Sequence, residues 1–285
     1  ATLTLPGSPA TALRAEGEAQ RGPEGWTASV QAELDALPLA ALTGLWPEGL
    51  AEAAAAPVLA ALAGGSLRDL RLGVAVAAPA DVARLTLREA RAGFTLEQAQ
   101  LALGPALAGL GANPGLLGPA TRLAADRIEF AATLTPAALR LERLSLRLPA
   151  PSAGVPATTL LLTAEAARDA ASGAWTGAAT LGLDAVRFAD LPRLWPEGLR
   201  TNERDWITGN ITAGRLRDGH WRIEGALPPG SAEPRITALT GTAEAEDATV
   251  HWLRPMPPVV GVAATASFSL AEIAIRTRGG RQLVG

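Results

Sequence analysis

The chain has 285 residues, of which 48% are hydrophobic, 19% charged and only 4% aromatic. That is enough chain for one large domain or two ordinary ones with real cores, and too apolar for a disordered segment. A formal charge of −3, no cationic run of five or more and no lysine argue against nucleic-acid binding. The absence of cysteine excludes disulfides, thiolate metal sites and cysteine nucleophiles.

Ala1 opens directly into an alternating segment, without the basic and apolar start of a secretory leader. Together with an end at Gly285 just after a strand-like run, this points to a piece of a longer protein. Ala51 to Ala63 is alanine-rich and reads as a short helix interrupted by Pro57. Leu101 to Thr121 is uncharged and as long as a membrane span, but Pro105, Pro114, Pro119 and several glycines break it. It reads as a strand end followed by a long loop.

Leu139, Leu141, Leu144, Leu146 and Leu148 alternate with polar residues, and the phase slips near Arg143, which predicts a bulge or turn. Trp175, Gly177, Ala179, Leu181 and Leu183 share one face of a further strand. Arg200 to Ile211 predicts a short helix, capped by Thr201 or Asn202, with Trp206 and Ile207 turned inward. Gly214 restarts a strand through Leu216, Trp221 and Ile223. Val262, Ala264, Ala266, Phe268 and Leu270 alternate next, and Ile273, Ile275 and Thr277 follow a break at Ala271-Glu272. These are expected to be half-buried antiparallel strands.

An internal repeat organises these elements. Shifted by 149 residues, 26–69 aligns with 175–218 without a gap, with 17 identities in 44 positions. Trp26 falls on Trp175, and Leu45-Trp46-Pro47-Glu48-Gly49-Leu50 falls on Leu194-Trp195-Pro196-Glu197-Gly198-Leu199. The chain therefore reads as two β-rich modules, 1–149 and 150–285, stacked edge to edge. Pro fixes φ, Gly permits positive φ and Trp fills a large hole, so Trp46, Pro47 and Gly49, like Trp195, Pro196 and Gly198, predict a rigid corner anchored in the core.

Chemistry is sparse. The two histidines, His220 and His251, lack partners at metal-ligand spacing and read as solvent-facing strand residues. No nucleophile elbow or phosphate loop is present. Glu244, Glu246 and Asp247 read as charges on a solvated strand edge rather than as acid–base pairs. No enzymatic activity, metal or cofactor is expected.

The run Leu191-Pro-Arg-Leu-Trp195-Pro-Glu-Gly-Leu-Arg-Thr-Asn202-Glu-Arg204-Asp-Trp206-Ile207, followed by Asn210-Ile211 and Gly214, resembles a motif of YhdP-like proteins in the AsmA-like family. The run Val250-His-Trp-Leu-Arg-Pro-Met-Pro257-Pro258-Val259-Val-Gly261 is similar to the Pro-Pro-Val turn that precedes an alternating strand in the same family. The resemblance covers most of 160–280 and reaches 1–149 more weakly through the repeat. Ala51 to Ala63 lacks the Arg-x-Trp-Ile signature.

The resemblance implies a mainly β fold, an elongated curled antiparallel sheet with an apolar groove. It also implies a periplasmic protein anchored in the inner membrane through parts outside this chain, and a link to phospholipid movement to the outer membrane and envelope maintenance. Phospholipid acyl chains and flanking modules of the same protein are the implied partners. The residues expected to line the groove are Leu181, Leu183, Ala264, Ala266, Phe268 and Leu270, then Leu144, Leu146 and Leu148. The alternative is a non-catalytic structural or assembly module of the envelope.

Overall fold

A computed structural model describes residues 2–3, 11–45, 62–82, 84–102, 122–195, 201–231 and 234–282. The chain is mainly β and forms one curled, unclosed antiparallel sheet of 14 strands. The strands are β1 (Thr2–Leu3), β2 (Thr11–Gly22), β3 (Gly25–Pro38), β4 (Leu62–Ala78), β5 (Thr86–Ala102), β6 (Arg122–Leu134) and β7 (Ala138–Arg147). Then follow β8 (Thr159–Arg168), β9 (Trp175–Arg187), β10 (Ile211–Leu227), β11 (Arg235–Val250), β12 (Val259–Ser269), β13 (Ile273–Arg278) and β14 (Arg281–Gln282). From β1 to β13 each strand pairs with the next in sequence, and β14 pairs with β12.

The phase slip in the leucine series is a bulge. Pairing of β7 with β8 jumps between Leu141 and Leu144, so that Leu141 and Leu144 both reach one face.

Among the described residues, four helical pieces interrupt the meander. Leu39–Leu45 follows β3 and packs on β3 and β4. A 3-10 turn, Phe188–Asp190, and the short helix Leu191–Leu194 follow β9, and Thr201–Asn210 precedes β10. The first of these matches Phe188–Leu194 at the 149-residue shift and is a different element from the helix expected over Ala51 to Ala63, of which only Leu62 and Ala63 are described, as the start of β4. Leu39-Ala-Ala-Leu gives an apolar turn that continues directly from the buried Leu37, so helix formation starts where burial already holds the chain. Ala51 to Ala61 lies outside the described residues.

The 149-residue period is carried by the backbone as well as by the side chains. Buried Leu34, Leu37 and Leu39 recur as Leu183, Val186 and Phe188. Left-handed backbone recurs at Gly65 and Gly214, at Asp69 and Asp218, and at Gln98 and Asp247. Pairing register shifts at or beside each of these positions, so each is a bulge that adds local twist. Repeated bulges at matched heights are what curl the sheet. The repeat thus reaches β5 and β11, beyond the identical segments.

Cores form where the helical pieces meet the sheet. Leu34, Leu37, Leu39, Leu67, Leu96 and Ile128 make one cluster, with Leu42 against it. Leu183, Val186, Phe188, Leu191, Val250 and Val262 make the other, with Ile207 and Ile211 against it. At Gly214, φ is +91° and an added Cβ would lie 2.5 Å from the Glu246 carbonyl oxygen. Gly65 has φ +107° and meets the Glu97 carbonyl at 2.6 Å. Gly214→Ala and Gly65→Ala are therefore expected to destabilise the sheet by about 1–3 kcal/mol each, measured as a lower urea midpoint. Gly64→Ala, where a Cβ meets nothing within 4 Å, is the control.

Candidate functional site

The two faces of the sheet differ in chemistry throughout. Register places Ala32, Leu72, Ala92, Ala132, Leu141, Ala164, Ala179, Ile223 and Leu239 in one row across β3 to β11. A second row runs Phe94, Phe130, Leu144, Leu162, Leu181, Trp221, Gly241, Phe268 and Ile273 across β5 to β13. A third, Leu37, Leu67, Leu96, Ile128, Leu146, Leu160 and Leu183, lies toward the helical pieces. No charged side chain enters any of these rows.

Burial falls off along this apolar face. The row nearest the helical pieces is largely sealed, with Leu37 at 1% and Ile128 at 5% exposure. Three rows further, Val30, Val74, Leu134 and Leu139 pair across β3, β4, β6 and β7 through Ala90 and stand open to solvent. Leu72 is open as well. No second sheet covers these residues among the described ones.

The nine residues expected to line a groove distribute along this gradient. Leu144, Leu146, Leu181, Ala266 and Phe268 are half-buried on the apolar face. Leu183 and Ala264 are buried near the helical pieces, and Leu148 is buried just past the end of β7. Leu270 is exposed in the turn between β12 and β13, outside the strand in which its alternation placed it. The widest open part is carried instead by Val30, Leu72, Val74, Leu134 and Leu139. Their alternation was present in Leu72-Gly73-Val74-Ala75-Val76, but the intervening Gly73 and Ala75 are not polar, which masked it.

Trp221 explains one irregularity of the face. Where the first copy has Leu70 and Phe94, the second has Gly219 and Ala243. The indole of Trp221 lies over Gly219 and Gly241, where any added Cβ would collide with its ring. Its edge meets Phe268 with centroids 5.5 Å apart. A similar aromatic pair, Phe94 and Phe130, stacks at 4.9 Å in the first copy.

The opposite face is a lattice of ion pairs. Arg68 contacts Glu97, Glu97 contacts Arg127, Arg127 contacts Glu129 and Glu129 contacts Arg143, linking β4 to β7. Arg217 reaches both Glu244 and Glu246, and Glu246 also holds Arg215. The expectation of a strand edge at Glu244 to Asp247 is thereby corrected: β11 is an inner strand, and its two glutamates are cross-strand partners of β10 arginines. Recesses open on this face. One of about 400 Å³ lies over Gly73 and Gly93, and one of about 490 Å³ lies beside His220 and Arg222. Among the described residues no group of three or more His, Asp or Glu side chains is placed to hold a metal ion.

The motif residues of the second copy fold into a knuckle. Arg204 donates from Nε to the Trp195 carbonyl at 3.0 Å and from a terminal nitrogen to the Pro192 carbonyl at 3.1 Å. The Arg of the Arg-x-Trp-Ile run is thus a clamp that joins the helix Thr201–Asn210 to the preceding turn. Ile207 turns inward as expected. Trp206 does not: it is 37% exposed and packs on Trp252 at 5.9 Å. The inward position is filled by Ile207 and Ile211, which leaves the bulkier ring outside. Trp195 is half-buried. Trp46, Pro47, Gly49, Pro196 and Gly198 lie outside the described residues.

Comparison with protein-family models, with curated proteins and with solved structures finds no match.

Two outcomes are expected from this geometry. Arg204→Ala removes two charge-assisted bonds from a guanidinium that is largely covered, so it should cost about 2 kcal/mol. Faster amide exchange over 191–210 would locate the loss. Glu129 is held below its ordinary carboxylate range, first by the hydrogen bond from Arg127 and then by the nearby Arg127 and Arg143 charges. A depressed folded value means that its contribution is complete above about pH 4.5 and disappears as pH falls through the lowered value. The pH dependence of stability below 4.5 should therefore flatten in Glu129→Gln.

Proposed function

We propose that the chain shelters phospholipid acyl chains on its apolar face. It would serve in the periplasm as part of a longer, inner-membrane-anchored protein that moves lipid toward the outer membrane. The observation that carries this reading is an apolar surface continuous across nine or more strands and left open at Val30, Leu72, Val74, Leu134 and Leu139. Soluble proteins seldom leave so large an apolar surface without something to cover it.

The energetics suit a lipid tail. Each CH₂ kept from water is worth about 0.8 kcal/mol. A tail of roughly sixteen carbons then needs shelter on the order of 12 kcal/mol. Rows of Leu, Val and Ala supply non-directional contact along the whole path and no polar group that would hold a tail at one point. Such a surface lets a chain slide, and it requires neither cofactor nor catalytic residue. The motif resemblance in 191–214 and 250–261 supports the same reading, including the periplasmic setting. No helix among the described residues is long and apolar enough to cross a membrane, so the anchor in this proposal belongs to other parts of the protein.

A second reading is a non-catalytic structural module of the envelope. The burial of Leu148, Leu183 and Ala264 favours it for the helix-bearing end, which packs like an ordinary core.

Photocrosslinking separates the two. Benzoylphenylalanine placed at Leu72, Val74 or Leu139 and irradiated in the periplasm of a Gram-negative cell should yield phospholipid adducts. The same group at Glu165 or Arg222, on the charged face, should not. Leu72→Asp combined with Val74→Asp should reduce adducts at Leu139 several-fold while the far-ultraviolet dichroism stays unchanged. Clean absence of adducts at every apolar-face position would leave only the structural reading.

A further inference from the structure

We propose that the knuckle made by the helix Thr201–Asn210 and the loop 251–258 is a bilayer-contact site that seats in the headgroup region of an anionic phospholipid surface. This is a surface separate from the open apolar rows, and the inference stands whether or not those rows carry lipid.

The loop joins β11 to β12 and exposes three large apolar side chains: Trp252 at 51%, Leu253 at 66% and Met256 at 51%. Trp206, on the helix, extends the patch through its contact with Trp252. Tryptophan prefers the membrane–water boundary, where the ring is sheltered and the N–H stays hydrated. Single exposed apolar residues are ordinary, but four on one helix-and-loop patch are not.

The backbone beneath the patch is largely prepared for a poorly hydrated setting. The His251 amide donates to the Asn210 carbonyl at 2.8 Å, and the Met256 amide donates to the Leu253 carbonyl at 2.9 Å. The Asn210 side chain donates to the Trp206 carbonyl, and Arg254 donates to the Gly209 carbonyl. The last turn of the helix therefore has donors on carbonyls that would otherwise need water. Pro255, Pro257 and Pro258 carry no N–H at all.

Charge and shape select the occupant. Loop 251–258 contains one arginine and no acidic residue, so it presents a cation beside the apolar tips, as an anionic lipid surface requires. Of the two helix acids, Asp205 is paired with Arg204, and Glu203 precedes Trp206 by three residues. A peptide partner that docks as a helix or as an added strand would need a groove or a free strand edge. Neither of the two recesses described above is lined by these residues, and β11 and β12 are both inner strands.

The chain has no cysteine, so Leu253→Cys gives a unique attachment point for an environment-sensitive nitrobenzoxadiazole dye. Adding vesicles of phosphatidylglycerol and phosphatidylethanolamine to the whole chain should shift the dye emission to the blue and raise it several-fold. Pure phosphatidylcholine vesicles should give a weaker response. The same dye on Arg222→Cys, on the charged face, should not respond. Leu253→Glu with Met256→Glu should lower vesicle co-sedimentation at least tenfold with unchanged dichroism and thermal midpoint. No shift at position 253 with anionic vesicles, or equal shifts at 253 and 222, would overturn the proposal. So would undiminished binding by the double variant. A shift that grows with protein concentration in the absence of vesicles would assign the knuckle to self-association instead.

Discussion

A sheet has two faces, and in this chain only one of them can be satisfied by water. The apolar face runs through more than ten strands, while the helical pieces among the described residues amount to a few short turns near one end. Every other feature answers that imbalance. The bulges at Asp69, Gln98, Asp218 and Asp247 bend the sheet. The helices seal the rows nearest to them, and the remainder stays open. A flat sheet of the same sequence would expose the whole apolar face, and a closed barrel would seal it. The curled, unclosed form lies between these limits, and it is the form that gives an apolar surface both protection and access.

The opposite face is held by a different force. Arg68, Glu97, Arg127, Glu129 and Arg143 form a continuous chain over four strands, and Arg215, Arg217, Glu244 and Glu246 do the same over two. Each exposed pair is worth little by itself. As a lattice they fix the spacing and order of neighbouring strands, which hydrophobic contact cannot do because it has no direction. The exclusive use of arginine suits this, since a planar guanidinium can bridge two carboxylates at once, as Arg217 does.

Much of this was legible in the sequence, and the remainder had physical reasons to be hidden. Period-two alternation located β7, β9, β12 and β13, and the slip near Arg143 located a bulge. The pattern from Arg200 to Ile211 located the helix Thr201–Asn210 of the second copy. What stayed hidden was whatever had neutral neighbours. Val74 lies between Gly73 and Ala75, so its strand showed no polar phase. Leu270 continued an alternation that the backbone had already left for a turn. Trp206 was expected inside because it is large and apolar, yet Ile207 and Ile211 already fill the space under that helix. Burial depends on what else competes for a cavity, and a sequence period does not record the competitors.

Residue 149 lies in the connection between β7 and β8, which is the junction of the two copies. There the pairing of Leu144 with Leu162 and of Leu146 with Leu160 continues in the same antiparallel ladder as everywhere else. Nothing in the hydrogen bonding distinguishes this junction from a pairing inside a copy. The halves therefore cannot swing on a hinge as tethered domains do; bending must spread over many strands. Any load pulling the halves apart falls on a whole ladder at once rather than on one linker, so the doubled unit behaves mechanically as a single leaf spring.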